Sequence, residues 1–214
     1  MTLRVLVVCT GNIARSPLAE RLLRARFAAA GVDAVVSSAG TGALVGESMT
    51  PEAAALAERY GADPSGHVAR QVSPAVLEDV DLVLTATRAH RAEVASTLPK
   101  AARKSYTLRE FARIVEFLGT DEASEFFVSN GEAPSATVPA GTVPAGEAPT
   151  SLLETASMAR GFAPPPEEPE SDNVVDPYRR PAEVYDEAGA LIDAATASIV
   201  AAFAAAERAG RGAA

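Results

Sequence analysis

Residues 3–17 read LRVLVVCTGNIARSP, and the rest of the chain can be placed around this stretch. Positions 3–9 form a continuous apolar run rich in valine, broken only by Arg4, the pattern of a central parallel strand buried on both faces. The run ends at Gly11. From Pro17 to about Ala30 the pattern is that of a helix, with Ser16 as candidate N-cap, Pro17 at the first helical position and Gly31 as the stop. Leu18, Leu22, Leu23 and Phe27 supply its buried stripe. The join between the two elements therefore sets the thiol of Cys9 at the carboxyl end of a buried strand. A run of backbone N–H groups follows it, then Arg15 at the mouth of a helix.

Further along, AVVSSA (34–39), DLVLTA (81–86) and KSYTL (104–108) read as strands. Helices are expected from about Pro51 to Tyr60, from near Arg88, over REFARIVEFL (109–118) and over the long closing segment 181–207. Such alternation predicts an α/β protein with a doubly wound, flavodoxin-like, four-stranded parallel sheet flanked by helices, whose ligands bind beyond the carboxyl ends of the strands. The 214 residues are read as one domain, 1–214, carrying a long, partly disordered insert at about 119–173. There Pro, Ala, Gly and acidic residues accumulate, and TVPAG is repeated directly at 137–141 and 142–146. Within it TSLLETASMARGF (150–162) is expected to be helical, with Leu152, Leu153, Ala156 and Met158 available to pack.

The net charge is −9, and residues 116–176 alone hold twelve acids against one base, Arg160, so the remainder carries about +2. With no basic stretch, nucleic acid is excluded as a partner. The apolar run at 3–9 is too short for a signal core or membrane span, and the one near the end is interrupted by Asp193, so a cytoplasmic location without a membrane span is expected. Cys9 is the only cysteine, which rules out an internal disulfide and a cysteine-rich zinc site.

CTGNIARSP is physically an anion trap. Helix N-termini present unpaired N–H donors and a partial positive charge, and Arg15 adds a planar, two-pronged donor matched to phosphoryl oxygens. The same field favours the ionised form of the Cys9 thiol, the nucleophilic one. A cysteine and an arginine at this offset are weak as a pair; the strand before them, the Gly-Asn turn and the Ser-Pro helix start give the motif its specificity.

VVCTGNIARSP resembles the signature V-C-x-G-N-x-C-R-S-P of the low-molecular-weight protein tyrosine phosphatases. SAGTGALVG (38–46), SGHVARQ (65–71), DLVLTATRAH (81–90) and DPYRRPAEVY (176–185) resemble further family blocks in the same order. The likeness points to bacterial members that act opposite the tyrosine autokinases of exopolysaccharide export. It implies a phosphotyrosine protein as substrate and such a kinase as partner. On this resemblance Cys9 attacks phosphorus to form a cysteinyl-phosphate, while Arg15 and the loop Thr10, Gly11, Asn12, Ile13 and Ala14 hold the oxygens. Ser16 hydrogen-bonds the thiolate, and Ser38 and His67 brace Asn12 from beneath. Asp176 protonates the leaving phenolate and then activates water, and Tyr178 walls the pocket. No cofactor and no metal are implied, since amides and Arg15 stabilise the charge.

Read without the family, Asp176 before Pro177 is an ordinary turn residue, His67 a structural histidine, and His90 exposed and inert. Gly40, Gly42 and Gly46 do not have dinucleotide-binding spacing and are read as a pocket wall. The acidic insert reads as a solvated linker; the sharper alternative is a segment that shields the site or selects substrates by charge. Relay-type arsenate reduction needs further cysteines, whereas a small-thiol-coupled version needs one and stays open. Ile13 stands where protein-arginine phosphatases of this scaffold usually have threonine. A non-catalytic phosphate- or phosphopeptide-binding module would need neither Cys9 nor Asp176.

Where many relatives have a second cysteine before the arginine, this chain has Ala14, so no vicinal disulfide can protect Cys9. Peroxide inactivation is therefore expected to be poorly reversed by dithiothreitol after long exposure, because a sulfenate without a nearby thiol proceeds to irreversible acids; full recovery of activity would contradict this.

Overall fold

The computed structural model describes residues 2–123 and 148–212. Four strands, β1 (Leu3–Cys9), β2 (Ala34–Gly40), β3 (Leu82–Thr85) and β4 (Ser105–Thr107), pair in the order β2-β1-β3-β4, all in parallel. The connecting helices are α1 (Arg15–Ala30), α2 (Pro51–Arg59), α3 (Pro74–Glu78), α4 (Arg88–Thr97) and α5 (Leu108–Leu118). They are followed by α6 (Ala148–Ala159) and α7 (Ala182–Gly212), with 3-10 turns at Pro99–Lys104 and Pro169–Asp172. The strand order reverses beside β1, so the carboxyl end of β1, where Cys9 sits, is the topological switch point.

Side-chain alternation along β1 divides the core. Leu3, Val5 and Val7 join the larger cluster with residues of α1, α2, α5, α6 and α7, whereas Leu6 and Val8 face α3 and α4 with Leu77 and Val94. Both faces are thus buried, which is why β1 reads as an apolar run broken only at the exposed Arg4. The larger cluster is organised by aromatic contacts, two edge-on and one stacked. Phe203 of α7 meets Phe27 of α1 at 5.7 Å and Phe111 of α5 at 6.3 Å, and Phe111 meets Tyr106 of β4 at 5.1 Å.

By length and composition α7 could cross a membrane, yet its apolar stripe, including Ala188, Ile192, Ile199 and Phe203, is occupied by the protein's own core. Arg26 of α1 ties the same helix down, donating to the carboxylate of Asp193 and to Thr196 Oγ1. Asp193, which interrupts the apolar run, is therefore a clamp point.

Two local expectations are corrected. Ser16 does not cap α1: the helix begins at Arg15 behind Ala14 with no side-chain cap, and Ser16 is fully buried beneath the loop instead. The insert is not a solvated linker along its whole length. Leu152, Ala156, Ala159 and Ala163 are buried in the larger cluster against α5 and α7; Leu153 packs at its edge, and Met158 is exposed. Arg160 secures this segment, donating to Glu110 at 3.0 Å and to the Ser105 carbonyl, with its guanidinium 3.9 Å from the Tyr106 ring centre. Burial would raise the Glu110 carboxyl; Arg160, the Thr107 N–H of the α5 capping box and Arg91 outweigh it and hold the group below its ordinary value. The TVPAG repeats lie outside the described residues.

Leu152→Ala is expected to destabilise the protein by about 2–5 kcal/mol in denaturant unfolding, the usual cost of a core leucine truncation; a change below about 0.5 kcal/mol, as for an exposed site, would return α6 to the status of a surface appendage.

Candidate active site

The segment from Cys9 to Ala14 turns every carbonyl away from its own centre. The carbonyls of Cys9, Thr10 and Gly11 accept from the N–H groups of Thr41, Gly42 and Leu44 at 2.9, 3.1 and 3.0 Å, so the loop after β2 forms an outer belt. Asn12 O accepts from His67 Nε2 at 2.7 Å, Ile13 O from Thr50 N at 2.8 Å, and Ala14 O from Leu18 N at 3.1 Å. Among the described residues, none of the N–H groups from Thr10 to Arg15 meets a protein acceptor. Convergent amides at a helix start, with their carbonyls satisfied elsewhere, form an anion-binding cradle. The belt needs close approach: a Cβ on Gly40 would lie 2.2 Å from the Thr10 carbonyl oxygen, so only glycine fits there.

Asn12 makes the turn, and its φ of 56° is uncommon for a residue with a side chain. Its amide compensates: Nδ2 donates to Ser16 Oγ at 2.9 Å and Ser38 Oγ at 2.8 Å, and Oδ1 accepts from Arg70 N at 2.9 Å. Ser38 donates to Glu20 Oε2 at 2.6 Å, and Arg70 Nε donates to the Ser38 carbonyl at 2.8 Å. His67 donates from Nε2, which leaves Nδ1 3.9 Å from Glu20; burial holds this ring below its ordinary pKa and so favours its neutral form. At the head of the network Ser16 Oγ stands 3.0 Å from Cys9 Sγ.

Arg15 is 5% exposed and reaches across the mouth of the cradle to a segment far along the chain. NH1 donates to Val174 O at 3.2 Å, and NH2 lies 2.9 Å from Asp176 Oδ2. Asp176 is half-exposed, and its other oxygen accepts from Tyr178 N at 3.2 Å, the turn that Pro177 invites. The turn and the contact with Arg15 thus use one carboxylate oxygen each. Four contacts set the height of this segment: Val174 N donates to Ala86 O, Arg88 N to Asn173 Oδ1, Arg109 NH1 to Asn173 O, and Arg113 to the Asp172 carboxylate.

The structure brings Cys9, Arg15, Asp176 and the loop 10–16 together, with Ser38 and His67 beneath them. The side chains of Ile13 and Ala14 are buried, so these two residues offer the cradle their N–H groups alone. Tyr178 is exposed beside Asp176, with the Arg179 guanidinium 5.1 Å from its ring centre. Sequence reasoning missed Glu20 and Arg70. Glu20 lies one helical turn after Ser16, a spacing that places both on one face and could have revealed it. His90 is a correction: it is 5% exposed and bonded on both ring nitrogens, to Thr10 and Thr87, because Thr87 caps α4 and turns the ring inward.

Residues 4–118 match the family model described as low molecular weight phosphotyrosine protein phosphatase. The low molecular weight protein-tyrosine-phosphatase Wzb of Salmonella typhi is 42% identical over 101 residues, covering 47% of this chain and 65% of that protein. A solved structure of the low molecular weight protein tyrosine phosphatase from T. tengcongensis superposes with a TM-score of 0.61 at 26% identity, over 93% of this chain and 98% of that one. Wzb of Vibrio vulnificus in complex with benzylphosphonate superposes with a TM-score of 0.60 at 22% identity, over 94% and 98%. The fold likeness thus extends through the segment bearing Asp176, which the family model does not reach. With its signature loop inside the matched residues and its sheet order shared, the chain belongs to the low molecular weight phosphotyrosine protein phosphatase family.

Proposed function

We propose that this protein hydrolyses phosphotyrosine in proteins through a cysteinyl-phosphate intermediate. The observation that carries the reading is Arg15, which joins the cradle behind Cys9 to the carboxylate of Asp176 at 2.9 Å and so gathers nucleophile, anion clamp and acid at one mouth. An incoming phosphoryl group takes the inward amides and the Arg15 guanidinium, displacing Asp176 from its ion pair toward the leaving oxygen, where the half-exposed carboxylate takes up a proton from solvent. Cys9 Sγ attacks phosphorus as the P–O bond to the aryl group breaks, and protonated Asp176 gives its proton to the departing phenolate. In the second half Asp176 takes a proton from water, the water oxygen bonds to phosphorus, the S–P bond breaks and the thiolate returns. Ser16 stabilises that thiolate by its hydrogen bond, which makes sulfur the better leaving group. Arg15 and the amides follow the charge through both steps without reorganising.

The resemblance to bacterial members working opposite exopolysaccharide tyrosine autokinases nominates such a kinase, in the cytoplasm, as the partner. The chain is read as one catalytic unit in which α6 and the 160–176 segment belong to the phosphatase. Small-thiol-coupled arsenate reduction is the second reading, since the cradle would hold arsenate as it holds phosphate and Cys9 is the only thiol.

Wild type is expected to turn over para-nitrophenyl phosphate and a phosphotyrosine peptide. Cys9→Ser should lose about 10⁴-fold or more in kcat, Asp176→Asn about 10²- to 10⁴-fold, and Arg15→Lys about 10²-fold or more through loss of the two-pronged contact. Steady-state assays with arsenate reduction run in parallel check this; wild type that turns over neither phosphoester overturns the proposal.

A further inference from the structure

His90 is a buried imidazole that the mechanism above does not use. It occupies the first turn of α4, whose N-cap Thr87 accepts from His90 N at 3.3 Å through Oγ1. The same hydroxyl lies 2.7 Å from His90 Nδ1, and the opposite ring nitrogen, Nε2, lies 2.8 Å from Thr10 Oγ1. Thr10 follows Cys9 directly, and its N–H belongs to the cradle. We propose that His90 is a positioning residue for the cradle: neutral and protonated at Nε2, it donates to Thr10 Oγ1 and so turns the Thr10 hydroxyl hydrogen toward the oxygens of a bound phosphoryl group.

The cap contact at Thr87 carries the assignment. Each of the two short contacts holds one hydrogen, and a neutral imidazole has one to give. Thr87 Oγ1 accepts at the cap, so its own hydrogen is available for Nδ1. The ring hydrogen then sits on Nε2, and Thr10 Oγ1 becomes the acceptor. Among the described residues the Thr10 hydroxyl hydrogen meets no other protein acceptor, so it is free to serve an anion. The Thr10 methyl group lies toward Gly42, 3.7 Å from where a Cβ on that residue would stand. In the reverse tautomer Thr87 Oγ1 would accept twice, from His90 N and from Nδ1–H, its own hydrogen would meet no protein acceptor among the described residues, and the Thr10 hydrogen would point away from the site. A neutral ring suits its neighbours: burial and then the positive charge of Arg15 hold His90 below its ordinary pKa, against the opposing pull of Glu93 on its own helix and Asp176 on the acid segment. A cation there would repel Arg15.

The inference rests on the reading of the loop as a phosphoryl cradle, and its test can be separated from that of catalysis. On the full chain, long-range proton–nitrogen NMR correlations of the two histidine rings, with His90→Gln to assign them, are expected to show His90 as the neutral Nε2–H tautomer at pH 7. Orthophosphate affinity, read by calorimetry, should fall about tenfold in His90→Ala and in Thr10→Val, the scale of one hydrogen bond to a charged group. It should return in Thr10→Ser, and the double variant His90→Ala with Thr10→Val should bind no more weakly than Thr10→Val alone. A merely structural histidine would give additive losses or none. An Nδ1–H ring, additive losses, or Thr10→Val binding within about twofold of wild type would each overturn the proposal. Should His90→Ala fail to fold, the wild-type tautomer and the Thr10 pair decide. If wild type hydrolyses no phosphoester, the phosphatase reading falls and the orthophosphate series still decides this one.

Discussion

The left-handed turn at Asn12 is the constraint on which the site depends. One residue with φ of 56° reverses the chain between strand and helix, and its side chain and carbonyl are held by Ser16, Ser38, Arg70 and His67. A strained conformation of this kind costs about 1–3 kcal/mol and persists only where its surroundings over-determine it. Four partners from three separate stretches of chain do so here. The result is a loop whose carbonyls are used up on the outside and whose amides are left for the inside. Because Ser16 serves both Asn12 and the Cys9 thiol, the scaffold of the turn and the environment of the thiol are one hydrogen-bonded system.

A second constraint joins distant parts of the chain. Arg15 is buried at the start of α1, and a buried guanidinium requires acceptors, which residues 174 and 176 supply. Those residues are held at the right level by Ala86, Arg109 and Arg113, that is, by the end of β3 and by α5. The same helix carries Glu110, which receives Arg160 behind α6. The acid-rich part of the sequence is therefore tied to the core through its described portion, and the position of Asp176 depends on packing as much as on its neighbours in sequence.

Much of this was legible in residues 3–17. The apolar run, the glycine and the Ser-Pro step give strand, turn and helix by local physics, and the alternation of strands and helices gives the layers. What local reading could not supply is long-range pairing. Ser16 looks like a cap from its neighbours, yet burial assigns it to the thiol. His90 looks like an exposed helix residue because nothing near it in sequence reveals that Thr10, eighty positions earlier, is its partner. The stretch from Leu152 to Ala163 is embedded in polar, proline-rich sequence that masks its apolar face, and only the surfaces of α5 and α7 give that face something to bury against. Glu20 and Arg70 escaped for the same reason: a charged residue reads as solvent-facing until its buried partners are known.

The account stands on Cys9 forming a covalent bond to phosphorus. Acid-quenching the wild-type chain during turnover of a phosphotyrosine peptide, followed by mass spectrometry of the amino-terminal fragment under conditions that preserve thiophosphate esters, reads that bond directly. The account predicts a phosphoryl adduct on Cys9 that disappears once substrate is exhausted. Turnover with no adduct at Cys9, or an adduct carried by another residue, would contradict it.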